Sequence, residues 1–194
     1  MWRLPVPPGS SNWPLVGRAW YFAYGSNMQT ATFRGRRGIE FHRALPVRAP
    51  GWRLVLDKPP LIPIGESFAN IVREAGAEVL GVAYEVSTEA LETIDLTEGV
   101  PIGNYQRCAI EIVPLAEDGA PLQAFTLVSD RHDSALQPST RYLGLLIEGA
   151  LEHGLPAAYI EFLRAIPACP PSAAAVALRP LIDGAMALAR ARRS

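Results

Sequence analysis

Cysteine is nearly absent. Cys108 and Cys169 are the only two in 194 residues, too few for a disulfide framework in a chain of this length, and such usage fits a reducing, cytoplasmic setting. Histidine is almost as scarce. His42, His132 and His153 share no metal-ligand spacing with one another, and no cysteine pair supplies one, so no metal site is expected. No apolar run approaches the roughly 18 residues of a transmembrane helix. Pro5, Pro7, Pro8 and Pro14 interrupt the first twenty residues, so no secretory signal core is expected there. An excess of charge of one sign is missing too. With a formal net charge of −1, nothing draws the chain to nucleic acid or to an anionic membrane over long range. The basic end, Arg190 to Arg193, reads as a solvated tail. Neither a GxxxxGK[ST] loop nor a GxGxxG after a strand is present.

What is present suits a globular domain. Apolar residues make up 49% and charged residues 19%, ordinary values for a chain with a real core. Residues 1–18 read as an N-terminal extension, 19–167 as one domain, and 168–194 as a C-terminal helical tail. Strand-like runs dominate the first two thirds. They are residues 20–24, two short strands between Phe41 and Asp57, then Phe68–Arg73 and Val79–Val86, separated by a turn at Glu74–Ala77. Val79–Val86 is apolar on both alternations, as in a strand buried on both faces. Tyr105–Leu115 and Leu122–Ser129 make a hairpin around Glu117-Asp118-Gly119. Helical patterns fill the rest. Ser87-Thr88 offers an N-cap for a short helix with a Leu91/Ile94 stripe that Gly99 stops. A second helix begins at Pro138 and carries Tyr142, Leu143, Leu146, Ile147 and Ala150 at three-and-four spacing. A third starts at Pro156, and the alanine-rich tail adds a last one. Strands followed by helices predict an α+β domain, with a small curved sheet or barrel and helices to one side.

Two stretches carry candidate chemistry. In Trp20–Met28, WYFAYGSNM, an apolar run ends in Gly-Ser-Asn. This is either a plain turn or a cradle of backbone N–H groups at a strand end. In Leu91–Gly99, LETIDLTEG, Glu98 lies seven residues beyond Leu91 and four beyond Ile94, on the face of the apolar stripe. Burial, nearby Asp95 and the helix C-terminus should each disfavour its charged form, which suits a proton shuttle near neutral pH. The alternative is a helix-end glutamate that curls out to water. Ser26 with His132 is a weaker pairing for nucleophilic catalysis, since His132 fits a polar turn. Cys108 fits a core thiol.

YFAYGSNM and ETIDLTEGVPIGNYQR together resemble the γ-glutamylcyclotransferase family. Pro138 to Tyr142, through Gly149-Ala150, to Gly154-Leu155-Pro156 and Tyr159 is similar to it as well. The likeness spans about residues 20–167. It implies a small mixed β-barrel with flanking helices. It also implies a loop Tyr24-Gly25-Ser26-Asn27 that holds the glutamyl part of a substrate, Glu98 as catalytic acid/base, and Tyr105 and Tyr142 lining the pocket. The glutathione-specific relatives carry YGSL where this chain has YGSN, which speaks against intact glutathione. The implied reaction needs no cofactor. The α-amine of a γ-glutamyl amino acid or amine closes onto its own side-chain carbonyl, releasing 5-oxoproline and the free amine. Amides around Gly25–Asn27 are candidates for the oxyanion or for the substrate α-carboxylate. Two other readings stand beside this one, a non-catalytic γ-glutamyl-binding module and a Ser26/His132 amidase. The expected partner is a small molecule, with no nucleic acid and no membrane, and a homodimer is left open.

Overall fold

The computed structural model describes residues 17–116 and 119–191. Most of the expected extension at 1–18 and the turn residues Glu117 and Asp118 lie outside them. The five strands are β1 (Arg18–Ala23), β2 (Arg43–Lys58), β3 (Phe68–Ser87), β4 (Gln106–Pro114) and β5 (Leu122–Val128). They close into a barrel in the order β1-β3-β2-β4-β5. Neighbours are antiparallel except β1 and β5, which run parallel and meet at Trp20↔Ala124 and Tyr21↔Phe125. The sheet is therefore mixed, and closure leaves no open edge. Helices α1 (Thr88–Glu98), α2 (Thr140–Glu152), α3 (Ala157–Arg164) and α4 (Ala173–Ala191) flank it. A single 3₁₀ turn at Ser26–Met28 and a wide π-type helical segment at Ala31–Arg36 follow β1.

Three details differ from the sequence reading. The two short strands expected between Phe41 and Asp57 are one 16-residue strand. The two expected at 68–73 and 79–86 are one 20-residue strand. The turn signals are real but become bends within strands. The β2–β3 register shifts between Pro50 and Trp52, and Gly51 and Gly76 take φ of 76° and 81°. Bulges of this kind bend a strand so that it can serve two sides of a small barrel. The third difference is at α2, which starts at Thr140 and not at Pro138. Ser139 is its N-cap, and the Tyr142 amide donates to Ser139 Oγ at 3.2 Å. Pro138 instead stands outside the helix, where its ring meets no helical carbonyl.

Elsewhere the local signals act as written. Residues 79–84 and Val86 of β3 are buried, because β1 and β2 flank the strand and helices cover its outer face. Tyr84 on that outer face is fully buried and stacks on Phe33 with ring centroids 4.3 Å apart. Helix α1 starts at the Ser87 cap, whose Oγ accepts from the Ala90 amide, and stops at Gly99, φ 74°. The C-terminal tail forms α4 and is pinned to the rest of the molecule at its start and at its middle. The Ser172 amide donates to Glu66 Oε1 at 2.8 Å, its hydroxyl donates to the Ile64 carbonyl, and Arg36 pairs with Asp183 at 2.6 Å.

Candidate active site

The apolar run of β1 carries the chain into the interior and leaves it at Tyr24. Tyr24 is buried, and its hydroxyl donates to the Leu127 carbonyl on β5. Gly25 follows where a side chain would not fit freely. A Cβ there would stand 3.1 Å from the Tyr142 hydroxyl and 3.4 Å from Ala69 Cβ. The Ser26–Met28 turn then buries Asn27. Tyr142, from α2, accepts a hydrogen bond from the Ala69 amide at 3.1 Å and also faces the Ser26 amide. Tyr105, just before β4, donates to the Ala69 carbonyl at 3.2 Å. Residue 69 of β3 thus ties both tyrosines to the loop. Burial pushes all these phenols up, Tyr142 to about 12 and Tyr24 and Tyr105 well above their ordinary value. They serve as neutral hydrogen-bonding groups.

Helix α1 delivers Glu98 to the same place. Its side chain is 15% exposed, so it does not curl out to water. Asn27 Nδ2 donates to Glu98 Oε1 at 2.8 Å and to the Tyr21 hydroxyl at 3.0 Å. The strand-end loop and the helix-end carboxylate are therefore joined by one side chain. Two neighbours differ from the sequence expectation. Asp95 turns away and pairs with Arg107 at 2.5 Å. Arg37, which sequence reasoning missed, places a guanidinium nitrogen 2.9 Å from Glu98 Oε1 and donates to the Thr97 carbonyl. The charge balance at Glu98 is thus set by a contacting cation and not by a like charge.

Tyr24, Gly25, Ser26, Asn27, Glu98, Tyr105 and Tyr142 all line one cleft of about 330 Å³, so the structure brings every expected site residue together. His132 is not among the lining residues. It sits 3.3 Å from the Asp57 carboxylate, so no Ser26–His132 pair forms. Among the described residues no cluster of His, Cys, Asp and Glu is arranged to hold a metal ion. Lys58, at the end of β2, and Arg179, Ile182 and Met186 of α4 also line the cleft, from two segments, 58–68 and the C-terminal tail, that the sequence offers for the leaving-amine side without singling out a residue. No motif marks them. The basic run Arg34–Arg37 was the only local hint for Arg37.

A small mixed barrel with a carboxylate bonded to a strand-end Gly-Ser-Asn turn defines a class of proteins with an acid-bearing cleft at one end of a barrel strand. The chain belongs to the γ-glutamylcyclotransferase family. The model of the AIG2-like family matches residues 78–163. The gamma-glutamylcyclotransferase of Mus musculus is 34% identical over 160 residues, covering 75% of this chain and 77% of that protein. The gamma-glutamyl cyclotransferase aclK of Aspergillus oryzae is 33% identical over 174 residues and covers 79% of this chain. The match spans 63% of that longer relative. A solved gamma-glutamyl cyclotransferase superposes with a TM-score of 0.69 at 26% identity, covering 78% of this chain and 89% of its own. No helix among the described residues is long and apolar enough to cross a membrane.

Proposed function

We propose that this protein is a γ-glutamylcyclotransferase that acts on γ-glutamyl amino acids or amines without a cofactor. The observation that carries this reading is the 2.8 Å bond between Asn27 and Glu98, which sets a carboxylate beside the Tyr24–Asn27 loop in a sheltered cleft.

The chemistry follows from the substrate. A γ-glutamyl amide carries its nucleophile and its electrophile in one molecule, so catalysis begins with folding it until nitrogen meets carbonyl. Such orientation is worth on the order of 7–11 kcal/mol. A cleft walled by Tyr24, Tyr105 and Tyr142 suits that task. The α-ammonium then gives a proton to Glu98, and the freed amine attacks the side-chain carbonyl carbon. The new C–N bond closes a five-membered ring and negative charge gathers on the oxygen. Amides around Gly25–Asn27 are the donors for that charge. As the intermediate collapses, protonated Glu98 gives its proton to the leaving nitrogen while that bond breaks. The freed carboxylate then takes the surplus proton from the ring nitrogen and passes it to the amine, which departs as its ammonium. One carboxyl serves every transfer, and 5-oxoproline and the amine leave. Arg37 and Asn27 hold Glu98 Oε1, and Oε2 is the oxygen assigned to the proton transfer.

The test is 5-oxoproline release from a panel of γ-glutamyl amino acids, amines and peptides. Release from at least one of them supports the reading. Binding of 5-oxoproline with no release from any compound over long incubation points to a binding module. Free glutamate as product points to an amidase.

A further inference from the structure

The last residue of β2 is a lysine, and it is only 1% exposed. Lysines are almost never this buried without a charge partner. The Lys58 ammonium donates to Asn104 Oδ1 at 2.7 Å and to the Pro59 carbonyl at 3.0 Å, and it stands 4.4 Å from the Tyr105 ring centre. Both acceptors are neutral. Lys58 takes part in none of the ion pairs among the described residues. An ammonium has three N–H donors, so one remains, on a residue that lines the cleft. A buried cation with a spare donor and no carboxylate in contact with it is a place for an anion.

The position within the cleft says which anion. Asn104 accepts from Lys58 through Oδ1 and donates to the Glu98 carbonyl through Nδ2 at 2.8 Å. One asparagine thus fixes the lysine beside the helix end that presents Glu98. In a γ-glutamyl group the α-amine and α-carboxylate share one carbon. If the amine meets Glu98, the carboxylate lies a bond or two further on. The other cation beside Glu98, Arg37, is already engaged by Glu98 Oε1 and the Thr97 carbonyl. We propose that Lys58 holds the α-carboxylate of the γ-glutamyl group, which leaves the Gly25–Asn27 amides to the oxyanion. The assignment rests on the cyclotransferase reading above and separates two roles that the loop amides would otherwise share.

The lysine's surroundings give the proposal a pH signature. Burial, and then the Arg131 guanidinium, pull its pKa down to about 8, with Glu98 acting in the opposite sense. Tyr105, facing it from β4's side, stays neutral through burial. In the free protein the positive charge is present below about 8 and is lost as pH rises through that value. Affinity for a carboxylate falls with it.

Calorimetry with 5-oxoproline and its primary carboxamide tests this, since the two differ in the carboxylate alone. The wild-type protein is expected to bind the acid at least about tenfold more tightly at pH 7. Lys58→Met is expected to bind both alike, and Lys58→Arg to retain a preference. A wild-type protein without preference overturns the proposal. So does a Lys58→Met variant that keeps the wild-type ratio, or one whose loss shows only as poorer discrimination between γ-glutamyl amino acids and γ-glutamyl amines. If Lys58→Met does not fold, the wild-type ratio must shrink toward one between pH 7 and pH 9.5, and a constant ratio overturns the assignment. Binding needs no turnover, so the two readings fail separately. A chain that prefers the acid through Lys58 yet releases no 5-oxoproline refutes the cyclotransferase reading and keeps the lysine.

Discussion

Glu98 lies between an amide donor and a guanidinium, in a position where its shape and its proton can be separated by experiment. Glu98→Gln keeps the oxygen that accepts from Asn27 and Arg37 but cannot carry a proton between nitrogens. The variant is expected to melt as the wild type does and to lose 5-oxoproline release by at least ~10²-fold. Turnover at the wild-type rate would falsify the assignment of Glu98. Arg37 makes a different prediction. It is 9% exposed in its side chain and contacts Glu98, so Arg37→Met leaves a mostly buried carboxylate without its counter-charge. Breaking one side of such a pair costs on the order of 3 kcal/mol, read as a lower urea midpoint. Because the two residues share one interaction, the Glu98→Gln/Arg37→Met double variant should lose less stability than the sum of the singles. Strict additivity would show that the pair is not coupled. Helix periodicity and Gly99 placed Glu98 at a helix end in the sequence but left open whether it curls out to water, and the family resemblance supplied its expected role. Arg37 was not legible there, because its contact crosses about sixty positions of chain that no local pattern links.

At the scale of elements, the loop geometry depends on how closely α2 approaches it. Gly149 faces the turn after β1. A Cβ at that position would lie 2.7 Å from Gln29 N, Met28 C and Met28 Cβ. Two of those atoms are backbone, so the turn itself would have to move. Gly149→Ala is expected to cost about 1–3 kcal/mol and to reduce kcat although no side chain of the cleft is altered. At Gly144 on the same helix, an added Cβ would meet nothing within 4 Å. Gly144→Ala should be neutral or stabilise by up to about 1 kcal/mol, through helix propensity. Thermal melts and steady-state kinetics of the pair separate crowding from propensity, and equal effects would remove the argument. The long strands teach the complementary lesson. Pro50-Gly51 and Glu74–Ala77 carry turn chemistry, and the sequence reading ended strands there. In the barrel the same residues form a register shift and a positive-φ bend, because β2–β3 pairing resumes before and after them, at Pro50↔Glu78 and Trp52↔Arg73, and keeps the two strands continuous.

For the whole molecule, the C-terminal tail is the part for which the sequence suggests a side of the pocket but no individual residue. Arg179, Ile182 and Met186 of α4 line the cleft together with Pro60, Leu61 and Ile64 from the loop after β2. None of the six takes part in the Asn27–Glu98 contact, and they are the candidates for contacting the leaving amine. Arg179→Gln combined with Met186→Ala is expected to lower stability by no more than about 1–2 kcal/mol, since both side chains are half-buried on the cleft wall and outside the barrel core, and to reorder the rates across a panel of leaving amines. An unchanged order would exclude α4 from leaving-group selection. Oligomeric state can be read by light scattering on the same samples.

Local chemistry, written in the chain, was enough for the α+β class, the strand-end Gly-Ser-Asn loop and the capped helix that ends at Glu98, while the roles of Tyr105 and Tyr142 came from the family resemblance. The first three are short-range consequences of periodicity, caps and turns. Barrel closure, the continuity of β2 and β3, the Arg37–Glu98 pair, the buried Lys58 and the docking of α4 arise from contacts between residues far apart in sequence. Their energies depend on burial and on which charges meet, and neither quantity exists until the chain has folded.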